Sequence, residues 1–199
     1  MPKNALLIFV KNAVAGKVKT RLAQSIGNEA ALEIYLQLLE ITASQTKLLA
    51  ADKLVWYSEK ITVGDVFDEA YFMKKVQNGN DLGEKMENAF VHAFAEGYEN
   101  VVIVGSDCAE ISKSVLEEAF VQLEKYDVVM GPAEDGGYYL LGMKKNLPFL
   151  FKNIPWSTSK VAEISQRLLR QNSVSYTCLS SLPDIDTLED WQNWLRQQS

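Results

Sequence analysis

The chain has 199 residues, 47% of them hydrophobic and 23% charged, with a formal net charge of -6. This length suits one large domain that buries roughly 70% of its unfolded surface, so no disulfide or metal staple is required. The acidic balance excludes general nucleic-acid binding, which needs a basic face. Two cysteines, Cys108 and Cys178, exclude a disulfide framework and fit a reducing, cytoplasmic setting.

The first element is the apolar run "ALLIFV" (5–10), which reads as a buried strand. It is too short for a secretory leader or a membrane span of ~20 residues, so neither is expected. Directly behind it, "FVKNAVAGKVKTRLAQSIG" (9–27) carries Lys11, Lys17, Lys19 and Arg21 and no acid. A Walker A loop fails here because Gly16-Lys17 is followed by Val18, and a dinucleotide fingerprint fails because Gly16 stands alone. Two readings stay open. One is a solvated cationic loop leading into a helix whose first apolar contact is Leu22. The other is a cradle in which loop amides, a helix start and the cations hold phosphate oxygens. A local basic cluster in an acidic protein points to a small anionic ligand.

The stretch 28–49 is a helix with Leu32, Leu36, Leu39 and Ala43 on its inner face and Asn28 placed to cap it. "KLVWYS" (53–58) is a second strand. "NGNDLGEKM" (78–86) opens a helix over 81–97 that stops at Gly97. Asp81 and Glu84 have capping-box spacing, while Gly79 and Gly83 could equally skirt a base or sugar. His92, the sole histidine, sits mid-helix and reads as structural.

"NVVIVGSD" (100–107) is a strand that delivers Asp107, behind Gly105 and Ser106, to the carboxyl edge of a sheet. A carboxylate there suits Mg²⁺, which takes one or two protein carboxylates and fills its shell with phosphates and water. It equally suits a turn, a cap or an ion pair with Lys11. A helix over 112–126 and the strand "DVVMGPA" (127–133) follow. "EDGGYYLLGM" (134–143) is a glycine turn leading into a hairpin-like or edge strand, and Asp135-Gly136-Gly137 either makes that turn or lets backbone approach a ligand. "LPFLFKN" and "TSKVAEISQRLLRQN" are short helices, "VSYTCL" is a late strand, and "TLEDWQNWLRQQS" is the last helix. Asp186 with Glu189 matches a capping box, or Asp186 is a second metal-facing acid, ahead of Asp184. Trp191 and Trp194 pack on the sheet or on a partner chain.

Strands apolar on both faces alternating with amphipathic helices predict an α/β protein, a three-layer α/β/α sandwich with a mostly parallel central sheet. No linker, repeat or low-complexity tract divides it, so a single domain over 1–199 is expected. Ligands in such sheets bind beyond the carboxyl ends of the strands.

In their order, "FVKNAVAGKVKTRLA", "NDLGEKM", "GSDCAEI", "GPAEDGGYYLLG", "PWST" and "DIDTLEDW" resemble the nucleotide-diphospho-sugar transferase superfamily of GT-A fold. Within it the chain looks most similar to an uncharacterised bacterial family of radical-SAM/selenodomain-associated glycosyltransferase-like proteins. It is more distantly similar to molybdopterin-cofactor and phospholactate guanylyltransferases. The resemblance implies that Lys11, Lys19 and Arg21 face nucleotide phosphates, with Gly16, Lys17, Gly79, Gly83 and Ser106 on the nucleotide side. It also implies that Asp107 and Asp186 hold Mg²⁺ or Mn²⁺ and that Asp135, Gly136, Gly137 and Tyr138 line the acceptor or sugar side, with Asp135 available for catalysis. Ala13 and Ala109 stand where the pattern commonly has proline.

The implied activity is a metal-dependent transferase using a nucleoside triphosphate or nucleotide sugar and a small-molecule acceptor. The leading expectation is nucleotidyl transfer to a phosphorylated acceptor with release of pyrophosphate. The alternatives are glycosyl transfer from a nucleotide sugar and a non-catalytic nucleotide-binding module. A single acid at Ser106-Asp107-Cys108, in place of a D-x-D, leans toward the first.

Overall fold

A computed structural model describes residues 3–198. Among these residues seven strands form one sheet: β1 (Asn4–Val10), β2 (Asp52–Tyr57), β3 (Met73–Val76), β4 (Asn100–Val104), β5 (Val128–Pro132), β6 (Tyr138–Met143) and β7 (Tyr176–Cys178). Their spatial order is β3-β2-β1-β4-β6-β5-β7. Only β6 runs against the others, pairing antiparallel with both β4 and β5. Six α-helices accompany them among the described residues: α1 (Thr20–Ile26), α2 (Asn28–Lys47), α3 (Leu82–Ala95), α4 (Lys113–Lys125), α5 (Val161–Gln171) and α6 (Leu188–Gln197).

The unbroken apolar strands are buried on both faces, as parallel strands covered by crossover helices must be. Leu6, Ile8, Val55 and Val102 face α2 and α4 through Tyr35, Leu39, Leu116 and Leu123. Their neighbours Leu7, Leu54, Val101 and Ile103 face α3 and α5 through Phe90, Ala93 and Leu169. This period-2 division of one strand between two cores makes the sandwich.

Several local expectations change. The segment 138–143 makes the expected hairpin with β5 but lies inside the sheet, not at its edge: Leu140 and Leu141 pair with Val104 and Ile103 on one side and with Gly131 and Met130 on the other. The β5–β6 hairpin folds back beside β4, so all residues of its two strands except Pro132 and Tyr138 are buried. Helix α2 is buried along two stripes, because a third cluster of Leu22, Ala31, Ile34, Leu38, Ile185 and Trp191 covers its outer side. Leu36, expected on the inner face, is exposed. Trp191 accordingly packs on α1 and α2 and stacks with Trp194 at 4.9 Å, not on the sheet.

Helix caps also shift by one residue. Asn28 lies inside α2 behind the N-cap Gly27. The capping box of α6 is Thr187 with Asp190, leaving Asp186 outside it. Asp81 caps α3 by accepting from the Glu84 N–H, while the Glu84 carboxylate accepts from the Asn80 backbone N–H and side-chain amide. The run 147–153 makes only a 3₁₀ turn at Pro148–Leu150. Strand β3 was not foreseen: "MKKV" lies at the sheet edge and lacks an apolar run.

Candidate functional site

The chain leaves β1 toward β2 and β3 on one side, then returns to lay β4 on the other side of β1. Diverging connections open a crevice at such a switch point. A cavity of about 520 Å³ lies there, lined by Val10 and Lys11 at the end of β1 and by Val104 to Asp107 at the end of β4. Its size falls within the range of small-molecule sites.

Tyr35 of α2 fixes the two strand ends. Its phenol accepts from the Lys11 N–H at 2.8 Å, donates to the Lys11 carbonyl at 3.2 Å and lies 3.2 Å from Ser106 Oγ. Burial pushes its pKa up to about 12, so it stays a neutral donor. Asn12 ties the same loop to the end of β2. Its Oδ1 accepts from the backbone N–H groups of Glu59 and Lys60, and its Nδ2 donates to the Lys60 carbonyl at 2.7 Å. The first loop is thereby held without a proline at Ala13.

The four cations of that loop part company. Lys11 lines the cavity, and no acid pairs with it among the described residues. Lys17 points outward and meets Glu59 at 3.2 Å on the surface. Lys19, at the N-cap of α1 with φ 47°, is only 4% exposed. It reaches Asp107 at 2.5 Å and Asp186 at 3.6 Å, so the partner of Asp107 is Lys19 and not Lys11. Arg21 extends across the surface to Asp186 at 3.2 Å.

Asp186 arrives from the far end of the chain. The segment after β7 is strapped along β5 by the Glu134 N–H to the Leu182 carbonyl and the Leu182 N–H to the Pro132 carbonyl. The Ile185 N–H then donates to the Asp107 carbonyl at 2.9 Å. This brings Asp184 and Asp186 to the cavity with Asp107 and Asp135. Burial, then the nearby charges of Asp107 and Asp135, push the Asp184 carboxyl up to about 7 against the opposing pull of Lys19. Asp184 ranked behind Asp186 in the sequence because nothing local marks it; its environment is built by three distant segments.

The cluster therefore has more negative charge than Lys19 alone offsets. Its oxygen donors are those a hard divalent cation prefers. No three acidic, histidine or cysteine side chains gather as a preformed metal-ligand set among the described residues. The arrangement fits an ion held by one or two carboxylates with its remaining ligands from substrate and water. Cys108 follows Asp107 but is buried, and its thiol is pushed up to about 12, which removes it as a nucleophile.

The glycines of the site have packing reasons. At Gly136 (φ 90°) a Cβ would strike the backbone of Ser159, and the Gly136 carbonyl accepts from Ala162 at the start of α5. Gly137 donates to Asp135 Oδ1 at 2.8 Å, closing a turn that presents Asp135 to the cavity. Gly83 admits the Trp156 indole, and at Gly79 a Cβ would come 2.7 Å from the Lys85 nitrogen. Gly16 turns the first loop at φ 77° beside Asn28. Gly16, Gly79, Gly83 and Gly136 do not themselves line the cavity, whereas Ser106, Gly137 and Tyr138 do.

The family model described as "Uncharacterized protein conserved in bacteria (DUF2064)" matches residues 41–158. A candidate nucleotide-diphospho-sugar transferase from Desulfovibrio desulfuricans G20 is 32% identical, with a TM-score of 0.92 over 100% of this chain and 89% of that one. The 2-phospho-L-lactate guanylyltransferase of Methanocaldococcus vulcanius is 26% identical over 147 residues, 71% of this chain. This chain spans 63% of the length of that curated relative. The manganese complex of Rv0371c from Mycobacterium tuberculosis H37Rv shares the fold at 10% identity, with a TM-score of 0.56 over 98% of this chain and 99% of that one. The chain belongs to the DUF2064 family and has the fold of the nucleotide-diphospho-sugar transferases.

Proposed function

We propose that the protein transfers a nucleotidyl group from a nucleoside triphosphate to a phosphorylated small-molecule acceptor and releases pyrophosphate. The observation that carries this reading is the meeting of the cationic first loop with Asp107 and Asp186 at the β1/β4 switch point. Similarity to a guanylyltransferase supports it.

An oxygen of the acceptor phosphate forms a bond to the α-phosphorus. The bond from that phosphorus to the oxygen bridging toward the β-phosphate breaks, and its electron pair leaves with pyrophosphate. A phosphate dianion has no proton to lose, so no general base is needed and catalysis rests on positioning and charge. Lys11 faces the triphosphate from the end of β1, and Arg21 approaches the leaving group from α1. Lys19 holds Asp107 and Asp186 in register. Asp107 and Asp186 would hold Mg²⁺ or Mn²⁺, which neutralises phosphate charge when bound. Ser106 and Gly137 offer polar contacts at the cavity wall, and Gly16, Lys17, Gly79 and Gly83 shape the loops on the nucleotide side.

One observation favours a second reading, glycosyl transfer from a nucleotide sugar. The Asp135 carboxylate lines the cavity with one oxygen fixed by Gly137, a suitable base for an acceptor hydroxyl.

Product analysis separates them. With Mg²⁺, a panel of nucleoside triphosphates and phosphorylated acceptors is expected to give pyrophosphate, and Asp107→Asn is expected to lower that rate by on the order of 10²-fold or more with its fold retained. Release of a nucleoside diphosphate from a sugar donor overturns nucleotidyl transfer. Nucleotide binding without turnover, unaffected by Asp107→Asn, identifies a binding module instead.

A further inference from the structure

The cavity has two unlike walls. One, formed from α2 and the segment before α6, carries Tyr35, Asp184 and Asp186. The other is predominantly apolar and comes from α3, β6 and the loop before α5: Leu82, Met86, Tyr138 and Trp156, with Ser157 and Thr158 beside the indole. Trp156 lies edge-on to Tyr138, with ring centroids 6.4 Å apart and planes at 89°. Gly83 lets the indole lie against α3, where any larger residue would displace it. The Tyr138 hydroxyl meets only the Met86 sulfur, at 3.9 Å, a weak acceptor that leaves the O–H available to a better one. Leu82 is 44% exposed at the rim. Among these residues stands Lys85, a half-buried cation that no acid pairs with among the described residues.

Displacement at phosphorus is in line, so the attacking and leaving groups lie on opposite sides of the α-phosphorus. If the lysine loop receives the pyrophosphate, the acceptor enters from the other wall. We propose that Leu82, Met86, Tyr138 and Trp156 with the Lys85 ammonium form the acceptor subsite, and that it takes a phosphate monoester whose organic part is flat and apolar. Lys85 faces the phosphate, while the indole and phenol rings receive the planar group with the offset or edge-on geometry that aromatic rings prefer. A sugar phosphate or short polyol phosphate would set hydroxyls against Leu82, Met86 and the faces of the two rings, which cannot pair them. The assignment to the acceptor rests on the nucleotidyl-transfer reading; the preference for an apolar phosphate ester can be measured without it.

Calorimetric titration of the full chain with 1-naphthyl phosphate and with glycerol 3-phosphate tests the subsite directly. The naphthyl ester is expected to bind at least ~10-fold more tightly, as burial of roughly two or more apolar carbons implies. Trp156→Ala and Leu82→Ser should each erase most of that difference, and Lys85→Gln should weaken both ligands. Leu82 is exposed, so its variant keeps the test valid if Trp156→Ala does not fold. Equal affinities, or a naphthyl preference unchanged in Leu82→Ser, overturn the proposal. Binding of Mg²⁺·GTP and Mg²⁺·CTP, followed by thermal shift, should be unchanged in Leu82→Ser. A loss there would assign the apolar wall to the nucleotide base and also overturn the acceptor subsite. Absence of pyrophosphate release with an intact naphthyl preference refutes nucleotidyl transfer and leaves the subsite in place.

Discussion

Lys19 and Asp107 meet at 2.5 Å, with the ammonium 4% exposed and the carboxylate 48% exposed. The cation is committed to the protein, while the carboxylate keeps a face toward the cavity. A lysine at φ 47° heading α1 thus connects the loop after β1 to the loop after β4 and to Asp186. Its primary work is to hold two acids together at the switch point.

Removing that charge should loosen the site without unfolding it. Lys19→Met keeps the stem length, removes the partner of Asp107 and leaves Asp186 with Arg21 alone. Breaking a fully buried pair costs about 3–5 kcal/mol, but these carboxylates can rehydrate, so a loss of about 1–2 kcal/mol is expected. For a chain of this size that lowers Tm by roughly 2–8 °C in a calorimetric scan. An unchanged Tm would contradict a structural role for the pair.

The two loop glycines Gly136 and Gly97 provide a matched comparison. Both have positive φ, 90° and 82°, but only Gly136 abuts the backbone of Ser159; nothing lies within 4 Å of a Cβ at Gly97. Gly97→Ala should cost about 1 kcal/mol, the conformational penalty alone. Gly136→Ala adds a clash with a carbonyl that cannot move freely, and should cost about 3 kcal/mol or more in urea unfolding. Similar costs for the two would show that Ser159 yields.

Acid sensitivity should trace in part to Asp127. The Ser175 hydroxyl donates to its carboxylate at 2.6 Å and holds its pKa below the usual carboxylate value, against the opposing effect of burial. A depressed folded-state pKa contributes stability above the unfolded value near 4, and that contribution disappears as pH falls through the lower folded value. Ser175→Ala should therefore be about 1 kcal/mol less stable than wild type at pH 7, with the gap narrowing below about pH 4. A gap that stays constant with pH would refute this origin.

The strands other than β3 and the long helices were legible in the chain because their signals are local. "ALLIFV", "KLVWY" and "NVVIV" are apolar without interruption, and 81–97 repeats at helical spacing under an aspartate cap. The α/β/α class and the parallel sheet follow from that alternation alone. The ordered motifs pointed in addition to the nucleotide-diphospho-sugar transferase superfamily, with which the full-length match to a candidate member agrees.

What local pattern could not supply was partnership. Whether "YYLLGM" lies at an edge or in the interior depends on β4, about 35 residues earlier, and its own composition suits either place. Lys17 and Lys19 are two residues apart with the same chemistry, yet one faces water and the other is buried, because only Lys19 is within reach of Asp107 and Asp186. The Arg21–Asp186 contact spans 165 residues, and the Tyr35 bonds to Lys11 span 24. Sequence alone determined most of the elements, though not β3, and which residue types carry charge at the sheet's carboxyl edge, since backbone propensity and apolar periodicity act over a few residues. Tertiary structure alone decided which charges meet, which acid is pushed up, and which wall of the cavity is apolar, because those properties belong to side chains brought together only when the sheet closes around β1.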